Sequence, residues 1–358
     1  MSDIFKEIIK SLDNEYASVA EEGTYADIPQ FIDTGSYALN ALFSGDIFGG
    51  FPSNKISALA GEEATGKTYF MLSIVKHFLD TDSNAVVVVF ESEGAITKEL
   101  LVNRNIDAKR VLMVPVETIQ QFKSQCLRLV DNYLEEKKKA KNENRKMMIC
   151  LDSLGMLSTN KEVADTESGS DKKDMTRQSE IRAAFRVLTL KLSKAGIPMI
   201  MTNHVYENVG QMYGPKKSIG GGGGLKYAAN NIIMLSKSKE KDKDGNLVGV
   251  LIKCTAMKSR LTKEGSVAQV LLNFQSGLDR YYGLIDIALE AEIFTKVSTR
   301  IQVPGGKSVF EKEIRENPKH FFTEEVLHKI NTYVKNTMLY GGVSTDIFVE
   351  DILNGEEG

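Results

Sequence analysis

The chain has 358 residues, a formal net charge of −3 and 26% charged side chains, which is the composition of an ordinary soluble globular protein. Such a length accommodates one large domain and one small domain. The weak negative charge excludes a global basic field for nucleic acid, so any such contact has to be a local patch.

Cysteine placement and hydropathy indicate the compartment. Cys126, Cys150 and Cys254 are scattered, and two of them lie in apolar runs. This predicts buried thiols in a reducing environment, and neither a metal site nor a disulfide framework. No stretch approaches the length of a membrane span, and the acidic, mixed N-terminus is not typical of a signal peptide. We therefore expect a cytosolic protein that has no membrane partner.

Residues 2–20 have the pattern of an amphipathic helix, which Ser2 could cap. Its apolar residues fall at helical spacing and are Ile4, Phe5, Ile8, Ile9 and Leu12. This face either packs on its own domain or docks on a neighbouring subunit, since the polar residues 21–27 separate it from the core. The sequence leaves both interpretations open.

The stretch from Gly61 to Thr68 reads G-x-x-x-x-G-K-[ST], the phosphate-binding P-loop. An apolar run at residues 56–60 leads into it, and a helical pattern at residues 69–79 follows. The loop's backbone N–H groups and the helix N-terminus would then face a polyphosphate. Lys67 should reach the terminal phosphates, and the Thr68 hydroxyl should hold Mg²⁺. The predicted nucleotide contacts are Gly61, Glu62, Glu63, Ala64, Thr65, Gly66, Lys67, Thr68 and Tyr69.

Continuous apolar runs predict the next strands, at residues 85–90 and 111–114. Runs of β-branched residues are typical of strands that are buried on both faces of a parallel sheet. A helix then opens at Thr118, with Gln121 in the capping-box position. The charge run at residues 135–146 indicates a solvated helix end and loop; a nucleic-acid contact there is the weaker alternative.

The strand at residues 147–151 ends in Asp152 and Ser153. An apolar strand that ends in Asp is the Walker B pattern, in which the carboxylate orients Mg²⁺ opposite Thr68. An Asp at a strand end is common, but it is a stronger indication of a Walker B motif when a P-loop precedes it in the sequence.

Two long polar segments flank a predicted helix at residues 177–192. Residues 158–174 carry almost no apolar side chain and are expected to be a loop. A strand at 198–202 ends in Asn203-His204, and residues 205–224 form a second loop. That loop carries an aromatic residue, lysines and a glycine run, which suit a phosphodiester chain. The alternative is a flexible lid or linker.

The remaining chain predicts strands at 231–236, 249–255 and 267–274, with a hairpin turn at 242–246. Lys258 and Arg260 lie at the end of the middle strand. Helices are expected at 285–289, 307–316 and 324–338, followed by an acidic stretch at 345–358. Repeated strand–helix units with a P-loop after the first core strand predict a doubly wound α/β ATPase core.

The order of these motifs resembles the RecA family of strand-exchange recombinases, from about residue 32 to about residue 340. Residues 90–94, 203–207 and 311–320 are most similar to the UvsX branch of T4-like phages. The resemblance implies an N-terminal helix and linker that docks on a subunit (1–30) and a RecA-type core with a mostly parallel sheet (31–278). It implies two DNA-binding loops at 158–176 and 205–224, and a small C-terminal α/β domain with an acidic tail (279–358).

The resemblance also implies residue roles. Glu93 would polarise the attacking water, with Glu91 as a nearby rival, and a carboxylate near the γ-phosphate is chemically sensible there. His204 stands where the family has a γ-phosphate-sensing Gln. Lys258 and Arg260 match the basic pair that completes the ATP site of the adjacent subunit. The residues implied to contact DNA are Met175, Arg177, Met212, Tyr213, Lys216, Lys217, Gly221 and Gly222.

Two departures from the family pattern concern the nucleotide. Leu100 stands where the family often stacks an aromatic ring on adenine, so the choice of nucleotide is open. Glu62 replaces a frequent Pro in the P-loop, which should be tolerated because the backbone binds the phosphates.

The implied function is that of an ATP- and Mg²⁺-dependent recombinase. It would form a helical filament on single-stranded DNA and exchange strands with duplex DNA in recombination, repair and recombination-dependent replication. Expected helpers are a single-strand-binding protein and a mediator, and the expected location is the cytoplasm of a phage's host. The alternatives are a RecA-core helicase or motor, and a P-loop ATPase that does not act on DNA and uses the Gly-rich loop as a substrate lid.

Overall fold

The computed structural model describes residues 3–139, 145–170, 174–207, 217–220, 223–241, 247–273 and 276–340. The α-helices are α1 (Asp3–Ser11), α2 (Tyr37–Ser44), α3 (Lys67–Asp80), α4 (Lys98–Asn103), α5 (Ile119–Lys139), α6 (Asn160–Glu167), α7 (Arg177–Ala195), α8 (Gly223–Ala228), α9 (Leu284–Glu290), α10 (Glu311–Glu316), α11 (Pro318–Phe321) and α12 (Glu324–Met338). The strands are β1 (Phe31–Ile32), β2 (Phe51–Pro52), β3 (Ile56–Gly61), β4 (Val86–Glu91), β5 (Val111–Pro115), β6 (Met147–Asp152), β7 (Met199–Glu207), β8 (Lys217–Ile219), β9 (Asn231–Lys241), β10 (Leu247–Ser259), β11 (Val267–Asn273), β12 (Gly277–Leu278), β13 (Thr295–Val297), β14 (Arg300–Gln302) and β15 (Ser308–Val309).

A large mixed sheet forms the centre of the molecule, in the order β12-β11-β10-β9-β3-β7-β6-β4-β5. The six strands from β9 to β5 run parallel. β10, β11 and β12 extend the sheet by antiparallel pairing, and β8 pairs antiparallel with the end of β7. The strand that precedes the P-loop, β3, lies between β7 and β9. This is the predicted doubly wound, mostly parallel arrangement.

Both faces of the parallel strands are buried, as the continuous Val run of β4 predicts. Val87 and Val89 belong to a hydrophobic cluster with α2 and α3, whereas Val88 and Phe90 belong to a second cluster with α5 and α7. Successive side chains of a strand point to opposite faces, so the alternation places helices on both sides of the sheet. All three cysteines are buried and free, as expected, and burial raises the pKa of the Cys126 thiol to about 12.

The C-terminal part shares the first of these clusters. Leu284, Phe294, Ile314 and Ile330 belong to the same set of buried residues as Leu39 of α2. Strands β13, β14 and β15 form a separate small sheet. The division into units 1–30, 31–278 and 279–358 stays a prediction.

Four predicted elements need correction. The helix expected at 2–20 ends at Ser11, and Asp13 has the left-handed φ of 45°. Residues 158–174 were expected to be a loop, but they contain α6, which a capping box between Thr159 and Glu162 begins. The strand expected to end at 202 continues to Glu207 because it pairs with β8. In the helix expected at 307–316, residues 308 and 309 form β15 instead.

The hairpin turn expected at 242–246 and the tail at 345–358 lie outside the described residues. Among the helices that the structure describes, none has the length and apolarity to cross a membrane.

A partly exposed ion pair joins Asp33, the residue after β1, to Arg280 in the segment after β12. Asp33 accepts hydrogen bonds from Arg280, from Asn40 Nδ2 at 2.9 Å and from the Gly35 N–H at 3.0 Å. Burial alone would raise the pKa of Asp33, but these hydrogen bonds and the Arg280 charge hold it below its ordinary value. The stability that the ionised carboxylate contributes is therefore present above the ordinary aspartate pKa. It is lost as the pH falls through the lower pKa of the folded state.

We expect Asp33→Asn to lower the free energy of unfolding by about 1–2 kcal/mol at neutral pH, because hydrogen bonds to a charged group are lost from a partly exposed site. The deficit should be smaller near pH 3, because the carboxylate begins to be protonated there. Urea denaturation at both pH values measures it. Asp80→Asn is the matched control, since Asp80 pairs with Lys76 on the surface. A deficit for Asp33→Asn that is equal at both pH values would contradict the ionic account.

Candidate nucleotide-binding and hydrolysis site

The candidate residues meet at the carboxyl edge of the parallel strands. In the register of the sheet, Gly61 at the end of β3 lies beside His204 of β7. Glu91 at the end of β4 lies beside Asp152 at the end of β6. The P-loop, Glu93, Asp152 and His204 therefore share one edge, where open α/β sheets bind their ligands.

The P-loop connects β3 to α3 and holds Lys67 in a closed position. Gly66 has a φ of +83°, which an L side chain rarely adopts, and α3 begins at the next residue. Lys67 is buried, and its Nζ donates to the carbonyl oxygens of Gly61 at 3.2 Å and Glu62 at 2.8 Å. Burial lowers the pKa of Lys67, although Glu93, Asp152 and Glu63 oppose this shift. The ammonium thus lies among carboxylates where an anion can replace its carbonyl partners.

Thr68 and Asp152 form the candidate Mg²⁺ site. The Thr68 Oγ1 donates to Asp152 Oδ2 at 2.8 Å, and the Thr202 hydroxyl donates to the other carboxylate oxygen. Burial raises the pKa of Asp152, while the two hydroxyl donors oppose the increase. A hydroxyl and a carboxylate fit Mg²⁺, which takes few protein oxygens and completes its shell with phosphate and water. In the described ranges no cluster of three or more His, Cys, Asp or Glu residues suggests another metal site.

Glu91 holds the loop that presents Glu93. The Glu91 carboxylate accepts hydrogen bonds from the backbone N–H groups of Glu93 at 3.2 Å, Gly94 at 2.8 Å and Ala95 at 2.9 Å. Its lone pairs are therefore engaged by the backbone, whereas Glu93 extends toward the ends of β6 and β7. This arrangement favours Glu93 over its rival Glu91 as the group that faces a nucleotide.

The Glu93 carboxylate is positioned by two side chains. Ser153 Oγ donates to Glu93 Oε1 at 2.5 Å, and His204 Nε2 lies 3.0 Å from the same oxygen. Burial would raise the pKa of Glu93, but hydrogen bonds from Ser153 and His204, and the charge of Lys67, lower it. The group is thus an ionised carboxylate at neutral pH, held in one orientation as a base or water-orienting group needs to be.

Lys258 and Arg260 lie at the opposite edge of the sheet. Strand β10 runs antiparallel to β9, so Ser259 pairs with Asn231, while Asn231 lies beside Ser57 at the start of β3. The P-loop begins at the other end of β3, at Gly61, about 13 Å away along the strand. These two cations cannot reach the P-loop of their own chain. Lys258 Nζ instead bonds the carbonyl oxygens of Lys226 and Ala229, the latter at 2.8 Å.

The predicted DNA contacts are only partly within the described residues. Met175 is 82% exposed and lies two residues before the start of α7. Arg177 donates to the carbonyl oxygens of Leu154, Gly155 and Leu157, so it braces the segment after β6. Lys217 opens β8. Residues that fall outside the described ranges are Met212, Tyr213, Lys216, Gly221 and Gly222.

Three site hydroxyls were not predicted from the sequence: those of Ser92, Ser153 and Thr202. Ser92 Oγ donates to the Ser153 carbonyl oxygen at 2.9 Å, which ties the end of β4 to the end of β6. Thr202 lies two residues before His204 on β7. Strand alternation places Thr202 and His204 on the same face of β7, so it could have indicated that Thr202 also faces the site.

Comparison with known proteins identifies the family of the chain. A family model described as the RecA N-terminal domain matches residues 2–279. The chain is 30% identical to a recombination and repair protein of Enterobacteria phage T4, over 83% of this chain and 73% of that protein. It is 25% identical to the RecA protein of Mycoplasmopsis pulmonis over 91% of each chain. It is 26% identical to that of Thermus aquaticus over 87% of each. Because the family model spans most of the chain and includes the whole P-loop edge, the chain belongs to the RecA family.

Proposed function

We propose that this chain is an ATP-dependent DNA recombinase, which forms a helical filament on single-stranded DNA and promotes homologous pairing and strand exchange. Recombinase and DNA-dependent ATPase activities are those of the RecA family, to which the chain belongs. The observation that supports the proposal most directly is that β7 connects the nucleotide edge to the second predicted DNA loop. His204 on this strand contacts Glu93, and the strand ends at Glu207, directly before residues 208–216 of the second predicted DNA loop.

The second loop is attached to the nucleotide edge at both ends. Asn203 Nδ2, beside His204, donates to the carbonyl oxygen of Gly220 at 2.6 Å. Gly220 directly follows strand β8, which pairs with the end of β7. A phosphate that displaces the His204–Glu93 contact would therefore act directly on both ends of the loop. This supports His204 as the residue through which ATP alters DNA binding.

In the proposed mechanism, Lys67 and the P-loop N–H groups bind the triphosphate, and Thr68 with Asp152 would hold Mg²⁺. The metal ion would supply charge neutralisation at the phosphates. Glu93 orients the attacking water and accepts its proton, since its carboxylate is ionised and fixed by Ser153 and His204. The anionic transition state is then stabilised by Lys67 from this subunit and by Lys258 and Arg260 from the next.

Three features of the opposite edge support its role as a subunit junction. Burial lowers the pKa of Lys258 and that of Lys55, and the nearby charge of Arg260 lowers both further, although Glu264 and Asp27 partly oppose these shifts. Asn54 Oδ1 and Asn230 Nδ2 are buried there without a hydrogen-bond partner among the described residues. Both line a cavity of about 280 Å³ together with Arg260. A neighbouring subunit that brings its P-loop to this edge would supply the missing partners.

Helix α1 supplies a candidate docking element for the same junction. Its apolar residues Ile4, Phe5 and Ile8 are 63%, 48% and 44% exposed. The following segment is fixed to its own core, for example by Asn54 Nδ2, which donates to the Asp27 carbonyl oxygen at 2.6 Å. This supports the docking interpretation of α1 over packing on its own domain. We also propose that a single-strand-binding protein and a mediator assist this protein, and that it acts in the cytoplasm of a phage's host.

The test is the rate of ATP turnover with and without single-stranded DNA. We expect DNA to stimulate turnover, and we expect Tyr213→Ala to weaken DNA binding about tenfold while ATP binding is retained, because one stacking contact is lost. Fluorescence anisotropy of a labelled oligonucleotide measures the DNA affinity, which should also fall steeply with salt.

The rival functions give different results in the same assay. Turnover that ignores single-stranded DNA would favour a P-loop ATPase that does not act on DNA. Unwinding of a duplex without pairing of homologous strands would favour a helicase or motor. Unchanged DNA affinity in Tyr213→Ala would remove residues 205–224 from the DNA site, and Phe310→Ala, at an exposed aromatic residue outside both loops, is the control.

A further inference from the structure

The nucleoside side of the ATP site shows a feature that the family resemblance does not supply. Leu100, which stands where the family often places an adenine-stacking aromatic, is partly buried and packs against the hydrophobic cluster beneath α4. One helical turn later, Arg104 lies over the ring of Tyr69, with its guanidinium carbon 4.2 Å from the ring centroid. Tyr69 directly follows the predicted Mg²⁺ ligand Thr68 and is 38% exposed.

We propose that the guanidinium plane of Arg104, backed by the Tyr69 ring, is the platform on which this protein stacks the base of its nucleotide. The inference rests on the proposed function, because it assumes that the P-loop holds the triphosphate. It adds the residues that determine base binding in this chain. A guanidinium is planar and can stack on two aromatic systems at once, one on each face.

The location is set by the P-loop. Phosphates that accept hydrogen bonds from the first N–H groups of α3 leave the nucleoside beside the first turn of that helix. Tyr69 lies in this turn, and a groove runs from it along α3 past Ser73 to His77. The groove has a volume of about 330 Å³, which is within the range of about 300–1,000 Å³ found for small-molecule pockets.

Arg104 is partly exposed at the wall of the groove, and neighbouring residues offer polar groups to a base edge. Gly277 lines it opposite Arg104 with a φ of +85°, and a Cβ at this glycine would lie 3.2 Å from Arg104 Nη1. Any larger residue there would crowd the guanidinium. Asn103, Asn105 and Ser276 contribute amide and hydroxyl groups around the same end.

Arg104 is held in place by its backbone and is not committed to a carboxylate. Its N–H bonds the Leu101 carbonyl oxygen at 3.1 Å, which caps α4. Within the described part of the chain its guanidinium makes no ion pair, in contrast to Arg280 with Asp33 at the far end of the groove. A free planar cation over an aromatic ring suits a neutral, electron-rich base.

The alternative is that Arg104 binds a phosphate, and binding measurements on three variants separate the two. Isothermal titration calorimetry with ATP and with inorganic tripolyphosphate compares binding with and without a nucleoside. We expect Arg104→Ala to weaken ATP binding about tenfold and to leave tripolyphosphate binding unchanged. Arg104→Lys should lose as much ATP affinity as Arg104→Ala, because lysine keeps the charge and loses the plane. Arg300→Ala, which removes an arginine of β14 that lies over the ring of Phe310, is the matched control.

Each other outcome overturns the inference. Recovery of ATP affinity in Arg104→Lys, or a parallel loss for tripolyphosphate, would place the guanidinium at the phosphates. Unchanged ATP affinity in Arg104→Ala, with wild-type protein that binds ATP, would place the base elsewhere and leave the proposed function intact. Wild-type protein that binds neither ligand would overturn the proposed function itself. Circular dichroism confirms that each variant is folded.

Discussion

Lys67→Ala is expected to reduce ATP turnover at least about 100-fold, because it removes the cation that stabilises the charge developing on the transferred phosphoryl group. Lys67 is buried and lies at the N-terminus of α3, with carbonyl oxygens of the P-loop as its present partners. A bound triphosphate would take their place. The substitution also removes a positive charge that acts on Glu93 and Asp152, so the loop should bind an anion less tightly.

Two measurements separate binding from turnover. Mg²⁺-ATP should raise the melting temperature of the wild-type protein and should not raise that of Lys67→Ala, since a ligand stabilises only a fold that binds it. Glu93→Gln is the companion variant, because it keeps the P-loop intact and removes the carboxylate that accepts the proton. It should therefore retain the thermal shift and lose turnover. Normal turnover in Lys67→Ala would remove the P-loop from the mechanism.

The parts of the site that were predicted from the sequence are those in which chemistry and spacing coincide. The P-loop follows a buried strand and begins a helix, and Asp152 ends the apolar run that forms β6. The Val run of β4 predicts burial on both faces because every side chain of a central parallel strand meets a helix. Predicted bounds of the core strands β3, β4 and β6 differ from the structure by one residue.

Other features depend on contacts that no local pattern contains. Helix α6 has no buried residue, so the periodic apolar signal of a helix is missing, and only its capping box marks it. The extension of β7 to Glu207 depends on pairing with β8, a segment more than ten residues later. The roles of Ser153 and Thr202 arise because β4, β6 and β7 are neighbours in the sheet, and strand order cannot be derived from one strand at a time.

The position of Lys258 and Arg260 is the clearest example. Their sequence context predicts that they lie at the end of a strand. It does not predict at which edge of the sheet that strand end lies. The antiparallel pairing of β10 with β9 places them at the amino edge, opposite the P-loop. The resemblance to the RecA family predicts that they act on the ATP of another subunit. The topology gives this a geometric reason, because they are too far from the P-loop of their own chain.

Complementation between two inactive variants is therefore expected. Lys258→Ala alone should reduce turnover at least about 100-fold. This is the effect expected when a phosphoryl-transfer site loses a cation that the neighbouring subunit supplies. Lys67→Ala subunits lack a working P-loop but keep Lys258 at the opposite edge. When the two variants are mixed at equal concentration, about one quarter of random head-to-tail junctions join an intact P-loop to an intact Lys258. Turnover should recover to about that fraction of the wild-type rate.

The stoichiometry of recovery is the sharpest part of this experiment. If sites lie between subunits, turnover at a fixed total concentration should be greatest near an equal mixture and should fall toward zero at both extremes, since a complete junction needs one subunit of each kind. A mixture of Lys67→Ala with the double variant Lys67→Ala/Lys258→Ala contains no intact P-loop and should stay inactive. Lys263→Ala, an exposed lysine in the turn after Arg260, controls for the loss of positive charge at this edge and should retain full activity. No recovery at any ratio would show that Lys258 does not serve a neighbouring subunit's nucleotide, and the cation cluster around it would then need another anionic partner.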